Sequence, residues 1–398
     1  DSGGGEYVYA SNVDELSGAF ERIISSLQAR SALFFAPIAI ESGSLFPDNY
    51  AYVSSFRPTP AGPWVGKLKK YCVLPEIMKG GLFDTSTTEC LLSSPDGTTL
   101  ETNPAAEDLW SGSTNLASDA GGAGAIALEK LGVPGEAPVG SLYERPISTY
   151  RPGEASYVHV DPKSWGEDDA FSHGCNRWRL LNSLHGYSRE TDCETGRPEA
   201  VGDWPIGDPV HANPVFLRYG ECNGTNGEPK EETCFLALPA NDGMLHIFDA
   251  ANGKETAALI PGELWRPNHV PNSLMADRFD QPGTTYTHRF YVDGRAQLVH
   301  IDKDSDFAID EDEQAYVLFS LGRGGRAHYL LDVSRLGDGE LDSDRTPVYP
   351  LGPAPGTVFE QMRDTISPPW VGRLQVHKES PAVAVVALKD QRIKQRPK

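Results

Sequence analysis

Apolar positions along this chain fall into two patterns. From Ala32 onward short runs repeat with a period of two: Pro37-Ile38-Ala39-Ile40, Tyr52-Val53-Ser54-Ser55-Phe56 and Gly66-Lys67-Leu68-Lys69-Lys70-Tyr71. Successive side chains of a strand face opposite sides, so these runs predict the strands of a first sheet. A denser series begins near residue 200, with predicted strands at 215–217, 234–238, 244–248, 257–260, 289–292, 297–301, 315–319 and 329–333. Asn241-Asp242-Gly243, Asn252-Gly253-Lys254 and Asp293-Gly294 supply turn signals between them. Residues 1–30 read differently: a short strand at Tyr7–Ala10 precedes an amphipathic helix with Leu16, Phe20, Ile23, Ile24 and Leu27 at helical spacing. The stretch from about 75 to 140, which includes Gly121-Gly122-Ala123-Gly124-Ala125, is rich in Gly, Ser and Thr and reads as loops and insertions.

Four strands per unit is the arithmetic of a propeller blade, and a chain of 398 residues exceeds the usual size of one compact core. The predicted class is mainly β, a modified β-propeller of four-stranded blades over residues 31–398. The chain shows no clean internal repeat, and a β-sandwich would give the same local pattern. The strand and helix within 1–30 are too small to form a core and are expected to close an α/β domain whose body lies upstream. The first residue is Asp, so the chain is read as a mature or excised fragment.

Composition narrows the partners. A net charge of −21 argues against clamping nucleic-acid phosphates or lying on an anionic membrane, and no run approaches the length of a membrane span. The six cysteines form three near pairs, Cys72 with Cys90, Cys175 with Cys193 and Cys222 with Cys234. Local pairing would close three loops, each worth about 3 kcal/mol in the chain-entropy model, and implies an oxidising compartment. The competing reading, a zinc or haem site, lacks any Cys-x-x-Cys spacing here.

The sharpest chemical signal lies between Asp302 and Glu313. Asp302, Asp304, Asp306, Asp310 and Glu313 occupy positions one, three, five, nine and twelve of a twelve-residue calcium loop, with the carbonyl of Ala308 at position seven. A hard divalent cation needs that many oxygens, and without one the carboxylates repel each other. Position six is Phe307 where the helical version of the loop has Gly, so the winding is expected to differ in detail. A solvated acidic turn is the alternative. The second acidic run, Asp338 to Asp344, lacks a twelfth-position acid and reads as an exposed turn. No nucleophile elbow, His-Glu-x-x-His or phosphate loop is present, and His211 and His246 read as hydrogen-bonded structural residues. Leu321–Arg326 lacks the following helix of a phosphate cradle and reads as a tight turn. Asn223-Gly224-Thr225 fits a glycosylation sequon, but reads more simply as the tip of the Cys222–Cys234 loop. Trp165, Trp178, Trp204 and Trp265 read as blade packing, the alternative being a binding surface for a glycan or host protein.

Several segments together resemble the type IV pilus tip adhesin and biogenesis family PilY, also called PilC. They are Gly207-Asp208-Pro209-Val210-His211-Ala212-Asn213-Pro214, Asn241 to Ala250 with Gly253-Lys254-Glu255, Tyr291-Val292-Asp293-Gly294, Leu321 to Arg326 and Leu331-Asp332-Val333. Upstream, Leu180 to Gly186 and Trp64-Val65-Gly66-Lys67-Leu68 are similar to family stretches, and residues 7–27 resemble the end of a von Willebrand A domain. The resemblance implies a noncatalytic, calcium-binding factor at the extracellular pilus tip. It implies minor pilins and a host or surface receptor as partners, and roles in assembly, attachment and opposing retraction. Residues 241–255 also resemble, once, the blade signature of pyrroloquinoline-quinone dehydrogenases, which supplies an enzymatic alternative. Those enzymes repeat the signature in most blades and carry adjacent cysteines, neither of which this chain has.

Overall fold

The computed structural model describes residues 34–35, 39–40, 50–58, 64–75, 89–114, 120–134, 139–150, 156–162, 175–188, 190–202, 205–220, 222, 233–264, 288–337, 339–352, 370–377 and 380–386. The strand and helix expected within 1–30 lie outside them, as do Trp165, Trp204, Trp265, Asp338 and the Asn223 sequon. The described chain is mainly strand. In the first sheet, β3 (Tyr50–Arg57) pairs along one edge with β1 (Phe34–Phe35) and β2 (Ala39–Ile40), and along the other with β4 (Val65–Cys72). A small hairpin follows, β5 (Leu92–Ser93) with β6 (Glu101–Thr102).

The central sheet is a meander of β9 (Val215–Arg218), β10 (Cys234–Pro239), β11 (Leu245–Asp249) and β12 (Glu255–Ile260). Its β10 is buried at every position because both faces are covered, which is why Cys-Phe-Leu-Ala-Leu-Pro is apolar without alternation. Period two still sorts the residues. Phe216, Leu236, Leu238 and Phe248 join Tyr52 and Leu68 of the first sheet in one core. Leu217, Phe235, Ala237, Leu245 and Ile247 face the other way, into a larger core with Val317, Phe319 and Leu331. Those last residues belong to a second meander, β13 (Gln297–Ile301), β14 (Gln314–Ser320), β15 (His328–Asp332) and β16 (Val348–Leu351). Sheets of four strands stacked face to face are the packing unit of a propeller. A final hairpin, β17 (Trp370–His377) with β18 (Ser380–Val386), completes the described chain.

Between the first and central sheets the chain builds an insertion. It contains α1 (Gly122–Glu129), β7 (Ile147–Tyr150), β8 (Tyr157–His159) and α2 (Cys175–Leu184). Strand β7 lies parallel to β12 and extends the central meander to six strands. The insertion thereby covers what would otherwise be an open edge. The loop reading of the Gly-rich stretch is corrected here, since Gly122–Glu129 is helical. A Cβ on Gly122 would come within 2.4 Å of the Leu68 carbonyl oxygen, so small residues are what allow this helix to lie against β4. The strand expected at 289–292 is also absent. The Tyr291 amide instead donates to the Asn241 side chain, and Gly324 passes across Tyr291, leaving no room for a ladder partner.

Cys72 is bonded to Cys90, Cys175 to Cys193 and Cys222 to Cys234, with Cα separations of 4.6, 4.7 and 5.4 Å. The third bridge closes the turn between β9 and β10 and is buried in the smaller core. Because β10 is packed from both sides, Leu236→Ala is expected to destabilise the protein by about 2–5 kcal/mol, read as a lower midpoint in urea denaturation.

Candidate functional site

The acidic loop joins β13 to β14 as a long hairpin connection. Asp302, Asp304 and Asp306 each place a carboxylate oxygen so that all three lie within 4.8 Å of one another. Their side chains also wind the loop. Asp302 accepts from the Ser305 amide at 2.6 Å and from Phe307 at 3.2 Å, while Asp306 accepts from Ala308 at 2.8 Å. Ser305 and Phe307 both take left-handed backbone, at φ of 69° and 65°. The sixth position therefore has the conformation that glycine adopts most cheaply, and the winding expected to differ there does not differ in that respect. Phe307 itself projects into solvent.

The remaining predicted ligands are placed differently. Asp310 is exposed. Partial desolvation and the charges of Asp306, Asp304 and Glu313 push its carboxyl above the usual range. Ala308 and Ile309 are buried, and the Ile309 amide donates to the Arg218 carbonyl of β9 at 2.6 Å, anchoring the loop to the neighbouring sheet. Glu313 is turned inward. Its oxygens accept from the Lys303 and Asp310 amides and from His300 Nε2, the last at 2.7 Å. Burial opposes its ionisation, but these donors hold it below the ordinary carboxylate range. A carboxylate offers about four lone-pair sites, so Glu313 keeps one in reserve. Sequence spacing did not flag His300, whose role depends on its cross-strand position two residues before Asp302.

A second concentration of charge sits at the Asn241-Asp242-Gly243 turn before β11. The Asn241 side chain donates to Asp208 at 2.9 Å and to Asp293 at 3.2 Å, and accepts from the Tyr291 amide at 3.0 Å. Asp242 accepts from the Gly207 amide at 2.8 Å. A Cβ on Gly207 would meet the Asp242 amide nitrogen at 2.2 Å, so only glycine permits this approach. Asp208 and Asp293 are capped in turn by His288 and His211, at 2.9 and 2.8 Å. His246 is wholly buried between Asp242, at 2.9 Å, and Glu255, at 2.7 Å, and Glu255 pairs with Arg145 of the insertion through both oxygens. Burial alone would keep His246 neutral, but the Asp242 and Glu255 carboxylates raise it to about 9. The Glu255 carboxyl is lowered, burial being outweighed by Arg145 and His246. In Asp293 burial wins, and its carboxyl is raised despite His211.

Other residues singled out by sequence fall as structural features. The Leu321–Arg326 segment forms a short turn into β15, with Arg323 lying 4.9 Å over the Phe290 ring. Asp342 accepts from the Asp344 and Arg345 amides in a solvated turn. Trp178 packs against the large core and Trp64 stacks on Phe56. No helix among the described residues is long and apolar enough to cross a membrane.

The two successive four-stranded meanders meet across the larger core, and the central one packs its other face on the first sheet, so the chain is of the mainly β class with stacked four-stranded sheets. Residues 216–351, which hold both meanders and the acidic loop, match the family described as the PilY1 beta-propeller domain. Two proteins of Xylella fastidiosa (strain Temecula1), each described as a type IV pilus biogenesis factor PilY1 homolog, are similar. One is 33% identical over 27% of this chain, the other 34% identical over 42%. The matches span only 8% and 12% of those relatives' own length. No solved structure is similar.

The raised His246 stabilises the fold fully below its ordinary value of 6.5, and that contribution is lost as pH rises through about 9. Denaturation midpoints of the wild type are therefore expected to fall across this alkaline window, and those of His246→Gln to lose that component of the slope. Phe307→Gly is expected to stabilise the protein by about 1 kcal/mol, because it removes left-handed strain at an exposed position without removing core contacts. Thermal denaturation checks this, Phe307→Ala serving as the control that keeps the strain.

Proposed function

We propose that this chain is the propeller region of a noncatalytic type IV pilus biogenesis factor whose acidic loop at 302–313 binds calcium. The observation that carries the reading is the convergence of Asp302, Asp304 and Asp306 within 4.8 Å, on a loop inside the PilY1-like stretch. The donor set is all oxygen, which suits a hard cation and not a thiolate- or imidazole-preferring metal. Asp302, Asp304 and Asp306 would hold the ion, with the Ala308 carbonyl, Asp310 and Glu313 standing at the sequence positions from which such loops draw further oxygens. The bound ion would supply charge compensation. It offsets the mutual repulsion that already raises Asp310.

The chain's own residues turn that compensation into mechanics. Asp302 and Asp306 hold the loop backbone, Glu313 ties the loop's end to His300 on β13, and Ile309 ties its middle to β9. An ion at a hundred times its dissociation constant would add about 2.7 kcal/mol to this arrangement. On this reading the loop stiffens one propeller seam at an extracellular pilus tip. There it would support assembly with minor pilins, attachment to a host or surface receptor, and resistance to retraction.

Calcium titration by calorimetry and thermal denaturation tests the site. Wild type is expected to bind and to melt at a higher temperature with calcium, and the Asp302→Ala, Asp306→Ala double variant to do neither; identical responses would refute it. Dye reduction with added pyrroloquinoline quinone is expected to stay at background, and turnover would favour the dehydrogenase alternative.

A further inference from the structure

A cavity of about 420 Å³ opens where α1 and the segment leading into β7 meet the turn from β11 to β12. Its volume lies in the range of small-molecule sites, about 300–1,000 Å³. It shares no residue with the acidic loop. The floor is Arg145 and Glu255, whose side chains are 5% and 4% exposed. Arg145 donates through Nε and Nη2 to the two Glu255 oxygens, and through Nη1 to the Leu184 carbonyl at 2.7 Å. A guanidinium has five N–H groups. Two donors on a buried side chain in the cavity wall are thus left without an acceptor among the described residues. Glu255 Oε1 accepts from both Arg145 and His246, whereas Oε2 accepts from Arg145 alone and retains a lone pair. Buried polar groups are rarely left in this condition, and each one unmet costs about 1–3 kcal/mol.

The charge of this floor selects what can satisfy it. Arg145 and protonated His246 are balanced by Glu255 and Asp242, so the network has no net charge. The rim adds charges of both signs, the cations Lys130 and Lys254 and the carboxylates Glu144, Asp249 and Glu340. An anion would approach the free N–H groups only by facing Glu255 and Glu144, and a cation would face Arg145 and Lys254. A hydroxyl carries no charge, accepts from an N–H and donates to a carboxylate. Two neighbouring hydroxyls on one ring would meet both unmatched donors and the spare Glu255 lone pair together. The lining contributed by Ile126, Ala127 and Leu131 around α1 is apolar and suits the C–H face of such a ring. We infer that this cleft is a binding site for an uncharged pyranose sugar, held by the two unmatched N–H groups of Arg145 and the spare lone pair of Glu255.

Saturation-transfer NMR on the full chain, with D-glucose, D-galactose, D-mannose and N-acetyl-D-glucosamine as probes, tests the site. At least one sugar is expected to receive saturation. Ala127→Phe fills the cavity from α1, and Lys254→Trp narrows its mouth from an exposed position. Each is expected to weaken binding about tenfold while the melting temperature stays near that of wild type. Lys254→Trp keeps the test open should Ala127→Phe unfold. Absence of transfer to every sugar would overturn the proposal, as would wild-type binding by either folded variant. Tighter binding of glucosamine or N-acetylneuraminic acid than of the neutral sugars would overturn the assigned ligand class.

Discussion

One asparagine side chain holds three segments of this molecule together. Asn241 donates to Asp208 before β9 and to Asp293 before β13, and accepts from the Tyr291 backbone. All of these groups are buried, so each bond forms away from water and each partner would be costly to strand. Stacked sheets slide easily when only apolar faces meet, because the hydrophobic effect is not directional. Directional bonds at the tight turn set the register between sheets that Leu236, Phe235 and their neighbours merely press together.

The next residue extends the same logic outward. Asp242 reaches Gly207 on one side and His246 on the other, His246 bonds Glu255, and Glu255 pairs with Arg145. A pair of buried charges alone is seldom stabilising, since desolvation consumes the Coulombic gain. Here two cations alternate with two anions, and nearly every oxygen accepts a hydrogen bond. The chain of contacts fastens the insertion carrying Arg145 onto the central meander, and β7 completes the attachment by pairing with β12. The conspicuous polar groups inside this β structure are therefore accounted for by architecture.

The acidic loop shows the complementary case, where like charges gather at the surface. Carboxylates there serve first as backbone acceptors, bending the chain through two left-handed residues, Ser305 and Phe307. Strain of this kind persists only when surroundings impose it. The imposing contacts are Glu313 on His300 and Ile309 on Arg218, both supplied by regular strands.

Much of this was legible from local pattern. Strands β9 to β12 and β13 to β15 follow from apolar runs between Asn-Gly and Asp-Gly turns, and the three nearest-neighbour cysteine pairs and the spacing of Asp302, Asp304 and Asp306 are visible in one dimension. Period and spacing are local properties, and they decide which residues can share a face or a loop. What they did not contain was distance across the chain. Gly122 became helical because β4 needed a close neighbour, and residues 289–292 gave up strand pairing because Asn241 claimed the Tyr291 amide. Arg145 found Glu255 from 110 positions away. Those choices belong to tertiary structure, because burial turns an ordinary polar side chain into one that must find a partner, and only the folded chain determines which partner is near.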